Sequence, residues 1–175
     1  MSLNYVLSQI FVLIAVIFQG MIYLNKDKKK IMVFCIMYAC FYGLQYLLLE
    51  AMTGFTMNSV NIVRNFWFYD NVKKNKNNSI YMLLTILFLI TLMTMFTYTN
   101  IYSLMPVVAA ILMTYSLWQK NLKIYRFLSL PISILWLTYN IYCNSIFGIV
   151  AEIVLLIFEL LAIYKYDIKK IVVEA

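Results

Sequence analysis

Thirteen of the chain's fourteen basic residues fall in four short clusters, and each cluster lies at the end of a long apolar segment. Lys26, Lys28, Lys29 and Lys30 form the first, and Lys73, Lys74 and Lys76 the second. Lys120, Lys123 and Arg126 form the third, and Lys165, Lys169 and Lys170 the fourth. The gaps around Thr53-Gly54, Thr99-Asn100 and Ser145-Ile146 carry no Lys or Arg. Cytoplasmic loops of membrane proteins collect Lys and Arg, and translocated loops do not. The alternation predicts an all-α integral membrane protein of seven transmembrane helices, with the N-terminus outside and the C-terminus cytoplasmic.

Composition closes off the alternatives. The 175 residues are 65% hydrophobic and 12% charged, whereas a soluble domain is nearer a quarter charged. The net charge of +7 reads as topology signal and contact with anionic headgroups. It does not form the basic face that a nucleic-acid groove would need. The N-terminus has no positive n-region and no small-x-small site before the lysines, so the first apolar segment is expected to be a span and not a cleaved signal. Cys35, Cys40 and Cys143 are odd in number and lie in apolar stretches, which argues against a disulfide framework. Histidine is absent, which removes the commonest metal ligand and general base.

A helix needs about 20 apolar residues to cross the hydrocarbon core. The expected spans are residues 4–24, 31–52, 54–69, 80–98, 101–117, 122–143 and 147–166. The third and fifth are the shortest and most polar, and the charge pattern is what requires the third. Arg126 and the lysines beside the second span can snorkel to the headgroups. Tyr69, Tyr98, Tyr102, Trp118 and Tyr164 suit an interfacial aromatic belt. The spans group as three, one and three, giving a first three-helix bundle (1–72), a linker helix (73–100), and a second three-helix bundle with a short cytoplasmic tail (101–175). Sliding the chain on itself by 94 residues superposes Thr53-Gly54 on Phe147-Gly148, and Asn58 on Glu152. Identity along this register is very low, so the repeat rests on architecture. Two parallel three-helix repeats are one transporter plan.

Two stretches carry a resemblance. One runs from Gln45 through Tyr46, Glu50 and Thr53 to Gly54, followed by Asn58 and Arg64-Asn65. The other is Leu117-Trp118-Gln119-Lys120, then Pro131, Trp136, Tyr139-Asn140, Ser145, Gly148 and Glu152. Together they resemble the YgjV-type family of bacterial inner membrane proteins, over nearly the whole chain. That family is similar to the larger group holding SWEET sugar transporters, PQ-loop proteins and PnuC vitamin-precursor transporters. The resemblance implies a multi-pass protein of the bacterial inner membrane, and fold more firmly than activity. Gln45 stands where the family pattern has His, and Glu159 where it has Asn.

Polar side chains inside a bilayer are costly and mark function or satisfied packing. Arg64 lies ten residues past Gly54, and Glu159 eleven past Gly148, so both sit roughly 15 Å along their helices at 1.5 Å per residue. They are expected to pair near the midplane, either as a structural ion pair joining the bundles or as part of a solute or ion site. Glu152 shares a face with Glu159 and is a candidate proton acceptor, or a carboxyl reaching water near the interface. Asn58, Asn61 and Asn65 make one amide stripe on the third span. Gln45, Thr138 and Asn140 add polar groups on the second and sixth, with Trp67, Trp136 and Tyr139 as aromatic flanks. Interhelical hydrogen bonding is the plain alternative for these amides. Pro106 and Pro131 each permit a kink.

No Gly-x-Ser-x-Gly, P-loop or metal-ligand cluster is present, so no enzyme, no cofactor and no metal is expected. The expected function is a transporter of a small polar solute, of sugar, nucleoside or vitamin-precursor type, by alternating access. The alternative is a non-transporting interaction or lipid-handling protein held by a structural Arg64–Glu159 pair. Expected partners are the solute and membrane lipid, without nucleic acid; the oligomeric state stays open.

Overall fold

The computed structural model describes residues 3–24, 27–74, 76–119 and 121–168. Within them lie seven α-helices: α1 (Leu3–Leu24), α2 (Lys28–Leu48), α3 (Met52–Lys73), α4 (Ile80–Thr97), α5 (Leu104–Trp118), α6 (Leu122–Tyr142) and α7 (Ile146–Ile163). A 3₁₀ turn, Ile101–Ser103, leads into α5, and a wide π-type turn, Tyr164–Ile168, follows α7. Five helices are long and apolar enough to cross a membrane: α1, α2, α4, α5 with its leading turn, and α7 with its trailing one. Helices α3 and α6, of 22 and 21 residues, have the length but carry much of the polarity. A 21-residue helix rises about 31 Å, close to the thickness of a hydrocarbon core. In lipid every backbone polar group must be satisfied internally, which a helix does by itself. The chain is an all-helical membrane protein.

Helices α1, α2 and α3 pack on one another in sequence, as do α5, α6 and α7. Helix α4 packs on α3 and α5 through Met82, Ile86 and Ile90, a stripe at i, i+4 and i+8. Its other faces present Leu84, Phe88, Met95 and Phe96 outward, as a helix bathed in acyl chains can. The two groups of three meet where α1 touches α7 and α3 touches α5.

Local geometry recurs at a spacing of 94 residues. Asp27 caps α2 by accepting from the Lys29 amide, and Asn121 caps α6 by accepting from the Lys123 amide. Both helices run 21 residues. They end in turns whose only left-handed non-glycine residues among those described are Glu50 (φ 57°) and Asn144 (φ 54°). The Ala51 amide donates to the Tyr46 carbonyl, and the Ser145 amide to the Asn140 carbonyl. The left-handed turn ends α2 at Leu48, short of the expected Met52, and starts α3 early enough to reach Lys73.

The bundle has two distinct ends. At one, Asn78 reaches the Leu117 and Trp118 carbonyls, and Arg126 grips Asp167 at 2.6 and 2.9 Å. Lys29, Lys30, Lys73, Lys74 and Lys123 belong to the helix ends gathered here; Lys26, Lys120, Lys169, Lys170 and the tail lie outside the described residues. At the opposite end Tyr5 bonds the Asn144 carbonyl, Thr53 the Thr97 carbonyl, and Asn100 the Tyr142 hydroxyl. Two expectations change. Arg126 is engaged by Asp167 instead of snorkelling free, because the π-type turn carries the carboxylate back over α6. Pro106 sits in the first turn of α5, where an amide would have no helical partner, so only Pro131 interrupts a helix interior.

Gly54 and Gly43 make opposite predictions. A Cβ on Gly54 would lie 2.7 Å from both the Tyr46 and the Tyr139 rings, which are themselves buried. A Cβ on Gly43 would meet Asn58 Cβ at an ordinary 3.6 Å. Gly54→Ala should therefore cost about 1–3 kcal/mol through overpacking, read as a lowered melting temperature in detergent. Gly43→Ala should leave that temperature unchanged or raise it, because Ala favours the helix by about 0.8–1 kcal/mol.

Candidate functional site: a central polar cavity

Six helices surround a cavity of about 130 Å³, and α4 contributes no residue to it. Helix α3 supplies Asn58, Asn61, Arg64 and Asn65, which fall on one face because they recur every three or four residues. Helix α7 supplies Glu152, Leu155 and Glu159. Helix α6 adds Tyr125, Ser129, Ser133 and Trp136, and α2 adds Cys35, Tyr38 and Tyr42. Ile22, Leu117 and Tyr125 also line the cavity and stand within a turn of their helix ends. The cavity thus runs from mid-bundle toward the basic end.

Arg64 is 4% exposed. Its guanidinium donates to Asn65 Oδ1 at 3.3 and 3.4 Å and to Thr114 Oγ1 at 3.3 Å, all long contacts. The expected Arg64–Glu159 ion pair does not form. The ion pairs among the described residues are Lys74–Asp70 and Arg126–Asp167. Glu159 instead accepts from Ser133 at 3.0 Å, and its second oxygen has no partner. The physical reason is placement. Both groups line one cavity, but α3 packs on α2, α4 and α5 while α7 packs on α6 and α1, so the cavity lies between them. Glu152 is 2% exposed, lines the cavity, and makes no hydrogen bond among the described residues. It does not reach an interface, so that reading of it falls away.

A buried hydrogen-bond network adjoins the cavity on the side away from the basic end. The Tyr46 hydroxyl donates to Asn140 Oδ1 at 3.0 Å. Gln45 donates to the Ser145 hydroxyl at 2.5 Å, and the Gly148 amide donates to the same oxygen at 3.2 Å. The Gly54 amide donates to the Tyr139 hydroxyl at 3.0 Å, capping the start of α3, which has no side-chain cap of its own. Tyr46 and Asn140 are 94 residues apart, and 45/148 maps on 139/54 under the same shift. Tyr46 stacks on Trp136, which joins this layer to the cavity wall. Gln45 Oε1 and Asn140 Nδ2 have no partner.

Of the expected site residues, Asn58, Asn61, Arg64, Asn65, Trp136, Glu152 and Glu159 line the cavity. Gln45, Tyr139 and Asn140 lie in the adjoining network instead. Trp67 is 38% exposed and Thr138 is half-buried and bonds its own helix, and neither lines the cavity. Sequence reading passed over Tyr125, Ser129, Ser133 and Thr114. Their signal was present as hydroxyls at helical spacing, but a lone hydroxyl in an apolar helix usually bonds its own backbone, as Thr85 and Thr91 do here.

A family model described as "bacterial inner membrane protein", Imp-YgjV, matches residues 6–170. No curated protein and no solved structure matches.

The network predicts a non-additive pair. Tyr46→Phe and Asn140→Leu each strand the other's polar atom, whereas the double variant strands neither. The double variant should be more stable than the sum of the two losses by about 0.6–1.7 kcal/mol, the range of such couplings inside membranes. Melting of the three purified variants beside the parent measures it; strict additivity would mean the bond contributes nothing.

Proposed function

This chain belongs to the Imp-YgjV family of bacterial inner membrane proteins, and we propose that it carries a small polar solute across that membrane by alternating access. Its localisation is multi-pass in the inner membrane. The observation that carries the proposal is the cavity: six helices surround it, and buried polar and charged groups line it. Intramembrane charge facing an enclosed space marks a pathway by default. A lipid-handling protein would open its polar stripe sideways to the bilayer. Asn58, Arg64 and Asn65 are instead buried toward the bundle centre, which favours the carrier.

The moving parts are two parallel repeats, α1–α3 and α5–α7, with α4 restoring the direction of the chain between them. The recurrence of caps, helix lengths and left-handed turns at 94 residues supports that division. By the charge rule the basic end faces the cytoplasm. The conformation is then one sealed on the outer side by the Tyr46–Asn140 layer and reached from the inside. Outward opening exchanges this layer for one near Arg64 and Tyr125. A layer that leaves Gln45 Oε1 and Asn140 Nδ2 unpaired is only partly satisfied, and costs less to part than a complete one. No chemistry on the solute is required, and the chain is read as a carrier and not an enzyme. Glu152 is the group that would take a coupled proton.

Cys35 gives a test, because it lines the cavity while Cys40 and Cys143 do not. With Cys40→Ser and Cys143→Ser in place, a small membrane-impermeant thiol reagent, sulfonatoethyl methanethiosulfonate, should label Cys35 in inside-out vesicles and spare it in right-side-out ones. Tyr46→Ala or Asn140→Ala, by opening the outer layer, should make the right-side-out population reactive. Labelling that stays on one side whatever is done to the layer would sink alternating access.

A further inference from the structure

We propose that the solute is a small zwitterion, bearing one carboxylate and one ammonium group, bound with its carboxylate on Arg64 and its ammonium toward Glu152 and Glu159. The proposal rests on the carrier reading and narrows it. Three charged side chains line the cavity, one cationic and two acidic, and no two of them are paired. Arg64, 4% exposed, meets only the neutral oxygens of Asn65 and Thr114 at 3.3–3.4 Å. A guanidinium presents its donors in a fork matched to a carboxylate, and such charge-assisted bonds run about 2.7–2.9 Å. The long neutral contacts leave that fork free to take an anionic group.

The acidic side is equally unengaged. Glu152, 2% exposed, has no hydrogen-bond partner among the described residues, and Glu159 meets only the neutral hydroxyls of Ser133 and Ser129. A lone charge left without a partner in the interior costs several kcal/mol, so each of the two sides favours a ligand group of opposite sign. A purely anionic solute would face two carboxyls, and a purely cationic one would face Arg64. A neutral sugar would leave Arg64 without a counter-charge. A zwitterion answers both sides, and the remaining carboxyl is the one available to hold a proton.

Size points the same way. A dry cavity of roughly 150 Å³ takes up one benzene ring. At about 130 Å³ this cavity admits a solute of about that bulk, and not a base joined to a ribose. Trp136 supplies an apolar wall for the body of the solute, and Asn61 Oδ1, buried and unpartnered, supplies a further acceptor for the ammonium side.

The test uses the full-length protein in detergent and reads its melting temperature with glycine, β-alanine, γ-aminobutyrate or L-proline, beside glucose and uridine. Butyrate and butylamine each carry one of the two charges and control for either alone. At least one zwitterion at millimolar concentration should raise the melting temperature by about 3 °C, and neither single-charge compound should. Arg64→Gln and Glu159→Gln should each abolish the shift. If either variant fails to fold, the contrast between zwitterions and single-charge compounds on the parent protein decides. A shift that survives both substitutions, or is matched by butyrate or butylamine, overturns the assignment. Stabilisation by glucose or uridine alone overturns it while leaving a carrier of polar solutes in place. Silence across all compounds overturns both.

Discussion

The hydrogen-bonded seam between the two groups of three helices is what the rest of the architecture depends on. In lipid there is no water to satisfy a polar atom, so a polar side chain buried between helices is stabilised by a partner across the seam. Tyr46 finds Asn140, Gln45 finds Ser145, and Tyr139 finds the amide of Gly54. These bonds fix how close α2, α3, α6 and α7 come. They also make Gly54 and Gly148 obligatory, because a Cβ at either would displace a seam group at 2.5–2.7 Å. Apolar packing between helices offers no comparable specificity where the solvent is itself apolar.

The seam and the cavity are two halves of one arrangement. Polar groups that find one another close the bundle on one side. Charged groups without an oppositely charged partner, Arg64, Glu152 and Glu159, gather beside it around the cavity. Trp136 belongs to both, stacking on Tyr46 while lining the cavity. On the proposed carrier reading, a solute that satisfied the cavity groups would compete with the seam for the same helices, the coupling that alternating access requires.

Particular residues show how legible this was in the sequence. Asn58, Asn61, Arg64 and Asn65 could be placed on one face from spacing alone, because helical periodicity fixes which side chains share a face. Arg64 and Glu159 could be placed at like depth, because the rise per residue is constant. Their pairing could not be read, since neither periodicity nor depth says which way a helix is rotated toward its neighbours. The same blindness put Gln45, Tyr139 and Asn140 in the site and not beside it. Trp67 looked like an aromatic flank, yet its face of α3 points outward.

The sequence by itself determined the number and rough limits of the helices, and the end at which the basic clusters gather. Hydrophobic length and the distribution of Lys and Arg are properties of the chain read in order, and the bilayer acts on them one segment at a time. It also carried the 94-residue register, visible in a handful of turn residues. The tertiary structure alone decided that Arg64 stays unpaired by a carboxylate, that Arg126 closes on Asp167, and that Tyr139 caps α3 from another helix. Those outcomes depend on which faces of distant helices meet, and helix rotation is settled by packing among all seven at once.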